Sequence, residues 1–168
     1  ALKDKETRPG DLLRDAIISL LWLMNLMLWK LSSLEQSVME KAIITTYNLK
    51  WLTLEDDNVE WKEIPTMKDL YSVLETMDWA NDLVHRLEKY TTWIFSWVFS
   101  ELTNIDLKEW LQVFSVRDLD DILRPTAMYV ILNYIWNRVR SSNKKRILVI
   151  DEAWNIMQHD DSAKFLFW

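Results

Sequence analysis

The chain has 168 residues and a net charge of −6, with 49% hydrophobic and 27% charged residues. This composition is enough for one domain with its own core, and it excludes a disordered polymer and a protein that binds nucleic acid through bulk positive charge. The sequence has no cysteine, which excludes a disulfide scaffold and any thiolate metal site and suits a reducing cytoplasm. His85 and His159 are far apart and have no spacing typical of metal ligands.

The most apolar stretch of the chain, residues 17–29, predicts a buried helix rather than a membrane span. The stretch is shorter than the ~18 residues that a spanning helix needs. Asn25 interrupts it, and Asp15 and Lys30 flank it. We therefore expect a first helix over residues 11–30.

The next segment predicts a second helix over residues 33–49. It opens with the sequence SSLEQ at residues 32–36, in which a serine hydroxyl can accept hydrogen bonds from free backbone N–H groups. Glu35 or Gln36 can reach back to the start of the helix, which completes the pattern of a capping box. Residues 51–65 then predict an irregular connector.

Two shorter helices are predicted after the connector. Thr66 follows Pro65 and precedes Asp69 by three residues, so it is expected to cap a third helix that runs through Met77. A fourth helix is expected over roughly residues 80–90. The pattern from 91 to 110 is broken.

The period of the apolar residues changes after residue 110. The runs LQVFSV at 111–116 and RILVI at 146–150 are typical of buried parallel strands. Between them Pro125 suits the first turn of a helix through Arg140, and a last helix is expected over 153–167. Alternation of strand and helix at this spacing predicts a βαβ unit with a parallel sheet.

An acidic pair, Asp151 and Glu152, follows the second predicted strand. An acid at the carboxyl end of a buried parallel strand points into the crevice where α/β sheets bind ligands. In nucleoside-triphosphate hydrolases the first acid of such a pair holds Mg²⁺ through water and the second polarises the attacking water, which would be the roles of Asp151 and Glu152. The alternative is that Asp151 and Glu152 are only the N-cap and first-turn acids of a helix, where the helix dipole favours negative charge.

The segment 111–167 resembles the conjugation and type IV secretion ATPases of the TraC/TraG-like group, within the HerA–FtsK branch of P-loop motors. The acidic pair and the strand before it look like that family's Walker B region. So do Ala153, Trp154 and the stretch MQHDDSAKF at 157–165. The earlier helices, including EKYTT at 88–92, look like the helical segment that these proteins carry between the phosphate loop and Walker B.

The resemblance implies an α/β fold, mostly α by content. Residues 1–110 would be a helical segment inserted in the motor domain, and 111–168 part of a RecA-like P-loop parallel sheet that carries Walker B. The resemblance also implies ATP, Mg²⁺ and a homo-hexamer that works with secretion-channel proteins, in the cytoplasm and peripheral at the inner membrane. DNA is a conceivable partner, although the net charge does not support it.

The sequence contains no glycine-rich phosphate loop. In the family that loop precedes the helical segment, so it would lie before Ala1, and we expect the chain to be an internal fragment without nucleotide-binding residues of its own and without activity alone. Two alternatives stay open. One is a non-catalytic helical interaction protein that keeps a Walker-like strand as a remnant, and the other is a different P-loop branch.

The sequence has one glycine and eleven tryptophans, whereas about 7% glycine usage would give roughly 12 glycines in a chain of this length. Several tryptophans occupy positions that favour glycine, such as Trp51 just after a helix. By contrast Trp61, Trp136 and Trp154 look like true tryptophans. We hypothesise that the gene comes from a bacterial lineage that reads UGA as glycine and that UGA accounts for the other eight, which are Trp22, Trp29, Trp51, Trp79, Trp93, Trp97, Trp110 and Trp168. The alternative is a protein that is naturally rich in tryptophan.

Overall fold

The computed structural model of the protein describes residues 11–53, 63–92, 95–96, 111–140 and 145–151. The chain divides into two compact units, residues 1–106 and residues 107–168. Within the described residues, no helix combines the length and the apolar character that crossing a bilayer requires.

The described part of the first unit is built from four helices, each packed against the next along the chain. They are α1 (Asp11–Met27), α2 (Ser33–Leu49), α3 (Met67–Glu75) and α4 (Asn81–Thr91). Their shared core contains side chains with almost no solvent exposure, among them Met24, Met39, Leu74, Leu83 and Leu87. The four predicted helices are confirmed, with small differences at their ends.

Helix α2 begins where the sequence predicts, with a complete capping box. The backbone N–H of Glu35 donates to Ser32 Oγ at 3.3 Å, and the backbone N–H of Ser32 donates to Glu35 Oε2 at 2.7 Å. These two bonds satisfy two of the backbone donors that a helix N-terminus leaves without a partner. The start of α2 is therefore determined by residues within one turn of it.

A second capping box starts α3. The backbone N–H of Thr66 donates to Asp69 Oδ2 at 2.7 Å, and the backbone N–H of Asp69 donates to Thr66 Oγ1 at 3.4 Å. Lys50, the C-cap residue of α2, places its Nζ atom 3.6 Å from Asp69 Oδ1 and 2.9 Å from Glu63 Oε1. The ammonium group of Lys50 therefore joins the end of α2 to the start of α3. Helix α3 ends at Glu75, two residues before the predicted end at Met77.

Helix α1 ends at Met27, three residues before the predicted end. The side chain of Asn25 accepts a hydrogen bond from the backbone N–H of Leu31 at 2.9 Å, while its backbone carbonyl accepts one from Lys30 at 3.1 Å. Both bonds require the chain to turn away from the helix axis. The residue that interrupts the apolar run in the sequence is thus the residue around which the helix ends.

Helix α4 is tied to α1 and α2 by two polar side chains. Arg86 donates to Glu35 at the first turn of α2 and, at 3.2 Å, to Asp82 one turn earlier on its own helix. The hydroxyl of Tyr90 donates to the backbone carbonyl of Met27 at 2.9 Å. The contacts with Glu35 and with Met27 join residues more than 50 positions apart, so they fix the arrangement of the helices rather than any one helix.

In the second unit the structure describes one helix, α5 (Arg124–Arg140), which has Pro125 in its first turn as predicted. Proline is well placed there because a backbone N–H in the first turn has no partner within the helix. Among the described side chains of this region, Leu123, Thr126 and Leu132 are buried.

The predicted parallel sheet is wrong for the described residues. Neither 111–116 nor 145–150 forms a strand, and no strand occurs elsewhere in the described ranges. Val113 is 83% exposed and Ile147 is 93% exposed, whereas a parallel strand is covered on both faces. A strand forms only when a neighbouring segment pairs its backbone N–H and C=O groups, and no such segment occurs among the residues that the structure describes.

The expected RecA-like βαβ unit is accordingly corrected to a helix flanked by two segments without regular structure. The predicted helix over 153–167 and most of the broken segment 91–110 lie outside the described residues.

Candidate functional site

Of the predicted acidic pair, the structure describes one member. Asp151 is exposed and lies in a turn that follows the irregular segment 145–150. The sequence predicted that Asp151 lies at the end of a buried strand, and the structure does not place it there. Glu152 and the stretch 157–165 lie outside the described residues, so the geometry of the pair stays a prediction.

The three acids before α5 form a solvated loop. Asp118, Asp120 and Asp121 are all exposed. Arg124 in the first turn of α5 places Nη1 2.7 Å from Asp121 Oδ1 and donates from Nη2 to the Leu119 carbonyl at 3.1 Å. The loop is thereby tied to the start of the helix, and the ion pair gives Asp121 a structural role.

The positively charged cluster around the end of α5 is described only in part. Lys145 and Arg146 are exposed, while the side chains of Arg138, Arg140 and Lys144 lie outside the described residues. His85 is exposed on α4, and His159 is not described. Within the described ranges no three His, Cys, Asp or Glu side chains come together in a group that could hold a metal ion.

A groove that the sequence did not predict lies between α3 and the end of α4. It has a volume of about 590 Å³ and is lined by Lys68, Tyr71, Ser72, Glu75, Thr91, Thr92 and Ser96. The four α3 residues follow the spacing i, i+3, i+4 and i+7, so they share one helix face. No motif marks this face, because a polar helix stripe ordinarily faces solvent.

Charged groups and burial both act on the tyrosine of the groove. Desolvation raises the pKa of Tyr71 above its ordinary value, and the carboxylates of Glu75 and Glu88 raise this pKa further. Thr91 donates its hydroxyl back to the Leu87 carbonyl at 3.3 Å, so this group already has a partner within α4. The hydroxyl, ammonium and carboxylate groups that line the groove can bind a polar group.

The segment 88–92, which resembles the helical segment of secretion ATPases, borders this groove through Thr91 and Thr92. Its central residue, Tyr90, points into the core and packs against Phe95 with ring centroids 5.8 Å apart. Lys89 Nζ lies 4.8 Å from the centre of the Tyr90 ring, within the range of a cation–π interaction. The segment therefore contributes mainly to the packing of the first unit, which we call the helical unit because α1 to α4 form its described part.

No protein-family model matches the chain, and no curated protein sequence is similar to it. Among solved structures, the chain is similar to VirB4 of Thermoanaerobacter pseudethanolicus, with a TM-score of 0.79 and 22% sequence identity. The match covers 95% of this chain and 65% of the VirB4 chain, so this chain spans about two thirds of the length of that structure. At this identity the likeness shows the fold: the chain has the fold of part of VirB4.

Proposed function

We propose that the chain is part of an ATP-hydrolysing motor that energises type IV secretion or conjugative transfer. The observation that carries the proposal is the likeness to VirB4 over 95% of the chain. The sequence supports it independently, because an apolar run followed by Asp151 and Glu152 is typical of the Walker B region of such ATPases.

In this proposal Asp151 holds Mg²⁺ through a water molecule, and Glu152 polarises the water that attacks the γ-phosphate. The exposed position of Asp151 is compatible with binding of a hydrated cation. The phosphate-binding loop belongs to a part of the protein outside these 168 residues, since no GxxxxGK[ST] pattern occurs among them.

The cellular setting follows from the same proposal. The complete protein assembles as a homo-hexamer on the cytoplasmic side of the inner membrane and contacts secretion-channel proteins there. The helical unit is an insertion in the motor domain, and its polar groove between α3 and α4 faces solvent or a partner subunit. The negative net charge gives no support for DNA as a direct ligand.

The test uses the full-length protein with its phosphate loop. Glu152→Gln should keep ATP binding and lower turnover by roughly 10²- to 10⁴-fold, as expected for loss of a group that activates water. Asp151→Ala should weaken Mg²⁺-dependent nucleotide binding. Asp118→Ala, which removes another exposed acid, is the matched control and should leave both properties unchanged.

The 168-residue chain alone should hydrolyse no ATP, because it lacks the backbone N–H groups and the lysine that hold the phosphates. Hydrolysis by this chain, or wild-type turnover by full-length Glu152→Gln, would contradict the assigned roles.

A second candidate is a non-catalytic helical interaction protein. It is favoured by one observation: the residues before Asp151 are exposed and form no strand, with Val149 at 83% exposure. The gene sequence upstream of these 168 residues distinguishes the two candidate functions. A GxxxxGK[ST] loop encoded in frame upstream supports the motor, and ATP binding by the full-length protein separates the motor from a remnant that has lost it.

A further inference from the structure

Three helix ends of the first unit have a backbone conformation that tryptophan disfavours. Trp29, Trp51 and Trp79 have φ angles of 54°, 60° and 68°. In this left-handed region the Cβ atom of an L-residue approaches the carbonyl oxygen that follows, and bulky residues there are outliers. In the described residues the remaining non-glycine residue at positive φ is Lys30, which is next to Trp29.

The hydrogen bonds around Trp51 show which motif requires this conformation. The backbone N–H of Leu52 donates to the Tyr47 carbonyl at 3.0 Å, and that of Trp51 donates to the Asn48 carbonyl at 2.9 Å. Together these two bonds are a Schellman motif at the end of α2, with Trp51 at the left-handed position after the C-cap. Glycine is the usual residue at this position because it has no Cβ atom.

Helix α1 ends in a similar way. The bond from Lys30 N–H to the Asn25 carbonyl, at 3.1 Å, spans the same five residues as the outer bond at the end of α2, and it places Trp29 at the left-handed position. Trp79 occupies the turn between α3 and α4, two residues before the first residue of α4. In all three places the direction of the chain depends on a residue that tolerates positive φ.

The indole rings of these three tryptophans are exposed, so burial of apolar surface does not compensate for the unfavourable backbone conformation. Trp29 is 71% exposed, and Trp51 and Trp79 are each 82% exposed. Tryptophan is ordinarily highly buried because its ring carries a large apolar surface. Trp136 on α5 behaves in the ordinary way, since it is partly buried within a helix.

The whole chain has one glycine and eleven tryptophans, so tryptophan is abundant where glycine is scarce. We propose that residues 29, 51 and 79 are encoded by UGA and that the source cell inserts glycine there. UGA differs by one base from UGG, the tryptophan codon, and by one base from the glycine codon GGA. The native surface then has no indole at these helix ends, and it is not an aromatic docking surface.

The decisive experiment reads the three codons in the gene and the masses of the peptides that contain these residues in protein isolated from the source organism. We expect UGA at all three positions and peptide masses that correspond to glycine. UGG at any of the three, or a tryptophan mass in any of the peptides, overturns the proposal.

Thermal unfolding of the 168-residue chain tests the structural argument separately. Trp51→Gly should raise the unfolding midpoint by on the order of 4 °C relative to Trp51→Ala, because alanine keeps the Cβ atom that opposes positive φ. Trp136→Gly is the control in a helix interior and should lower the midpoint. Equal midpoints for Trp51→Gly and Trp51→Ala would overturn the structural argument for glycine at residue 51, because stability would then not depend on the left-handed backbone.

Discussion

The hydroxyl of Tyr90 on α4 donates a 2.9 Å hydrogen bond to the backbone carbonyl of Met27, the last residue of α1. The last carbonyls of a helix have no partner within it, and burial of such a group without a hydrogen bond is costly. Met27 and Tyr90 are each 1% exposed, so water cannot replace this bond. A side chain 63 residues away therefore completes the C-terminus of α1.

Replacement of Tyr90 by Phe should reduce the free energy of unfolding by about 1–3 kcal/mol, because the Met27 carbonyl then stays buried without a donor. The measurement is chemical denaturation followed by circular dichroism. Tyr47→Phe is the matched control, since the structure gives the half-buried Tyr47 hydroxyl no hydrogen bond among the described residues. Equal losses for the two variants would mean that the hydrogen bond to Met27 contributes nothing.

Because of Glu35, the free energy of unfolding of the helical unit should decrease at low pH. The hydrogen bonds from Ser32 lower the pKa of Glu35 below its ordinary value of 4.5, and the Arg86 guanidinium lowers it further. A lowered pKa in the folded state means that stability is present above pH 4.5 and is lost as the pH falls through the folded-state pKa.

We therefore expect Glu35→Gln to cost roughly 1 kcal/mol at neutral pH and progressively less as the pH falls below 4. Urea denaturation of both proteins at a series of pH values measures this difference. Glu40→Gln changes an exposed glutamate on the same helix and should show little cost at any pH. A cost for Glu35→Gln that is independent of pH would rule out the charge of Glu35 as its cause.

Loss of the N-cap hydroxyl at Ser32 should destabilise α2. Ser32→Ala removes the acceptor of the 3.3 Å bond from Glu35 N–H and should cost about 1 kcal/mol of unfolding free energy. Ser37→Ala makes the same chemical change inside α2, where the hydroxyl only bonds back to the Ser33 carbonyl, and should change stability by less than about 0.5 kcal/mol. If the two variants are equally stable, the capping box does not contribute to α2.

The second unit should lose stability in alkali because of Tyr129. Burial raises the pKa of Tyr129 from 10.0 to about 12, so its contribution is complete below pH 10.0 and disappears as the pH approaches 12. Because the residue is partly exposed, we expect a loss of only about 1 kcal/mol over this window. Absorbance of tyrosinate during an alkaline titration, together with denaturation at each pH, measures it.

Tyr129→Phe should abolish this part of the alkaline loss, whereas Tyr134→Phe on the same helix should keep the wild-type profile. An unchanged profile in Tyr129→Phe would show that other groups cause the alkaline transition.

The sequence by itself determined the helices of the first unit and the start of α5. Ser32 with Glu35 and Thr66 with Asp69 are capping signals whose partners lie three residues apart, so the helix starts at 33 and 67 depend on local chemistry alone. The same holds for Trp51, whose left-handed conformation was expected from its place after α2 and is confirmed at φ 60°.

Only the tertiary structure decided the features that depend on distant residues. The contacts of Tyr90 with Met27 and of Arg86 with Glu35 join helices that are far apart in sequence, and no local pattern predicts them. The apolar runs at 111–116 and 146–150 have strand-like composition, but a strand also requires a paired neighbour and covered faces. In the described structure Val113 and Ile147 are exposed instead, because β-structure, unlike a helix, cannot satisfy its backbone within a single segment.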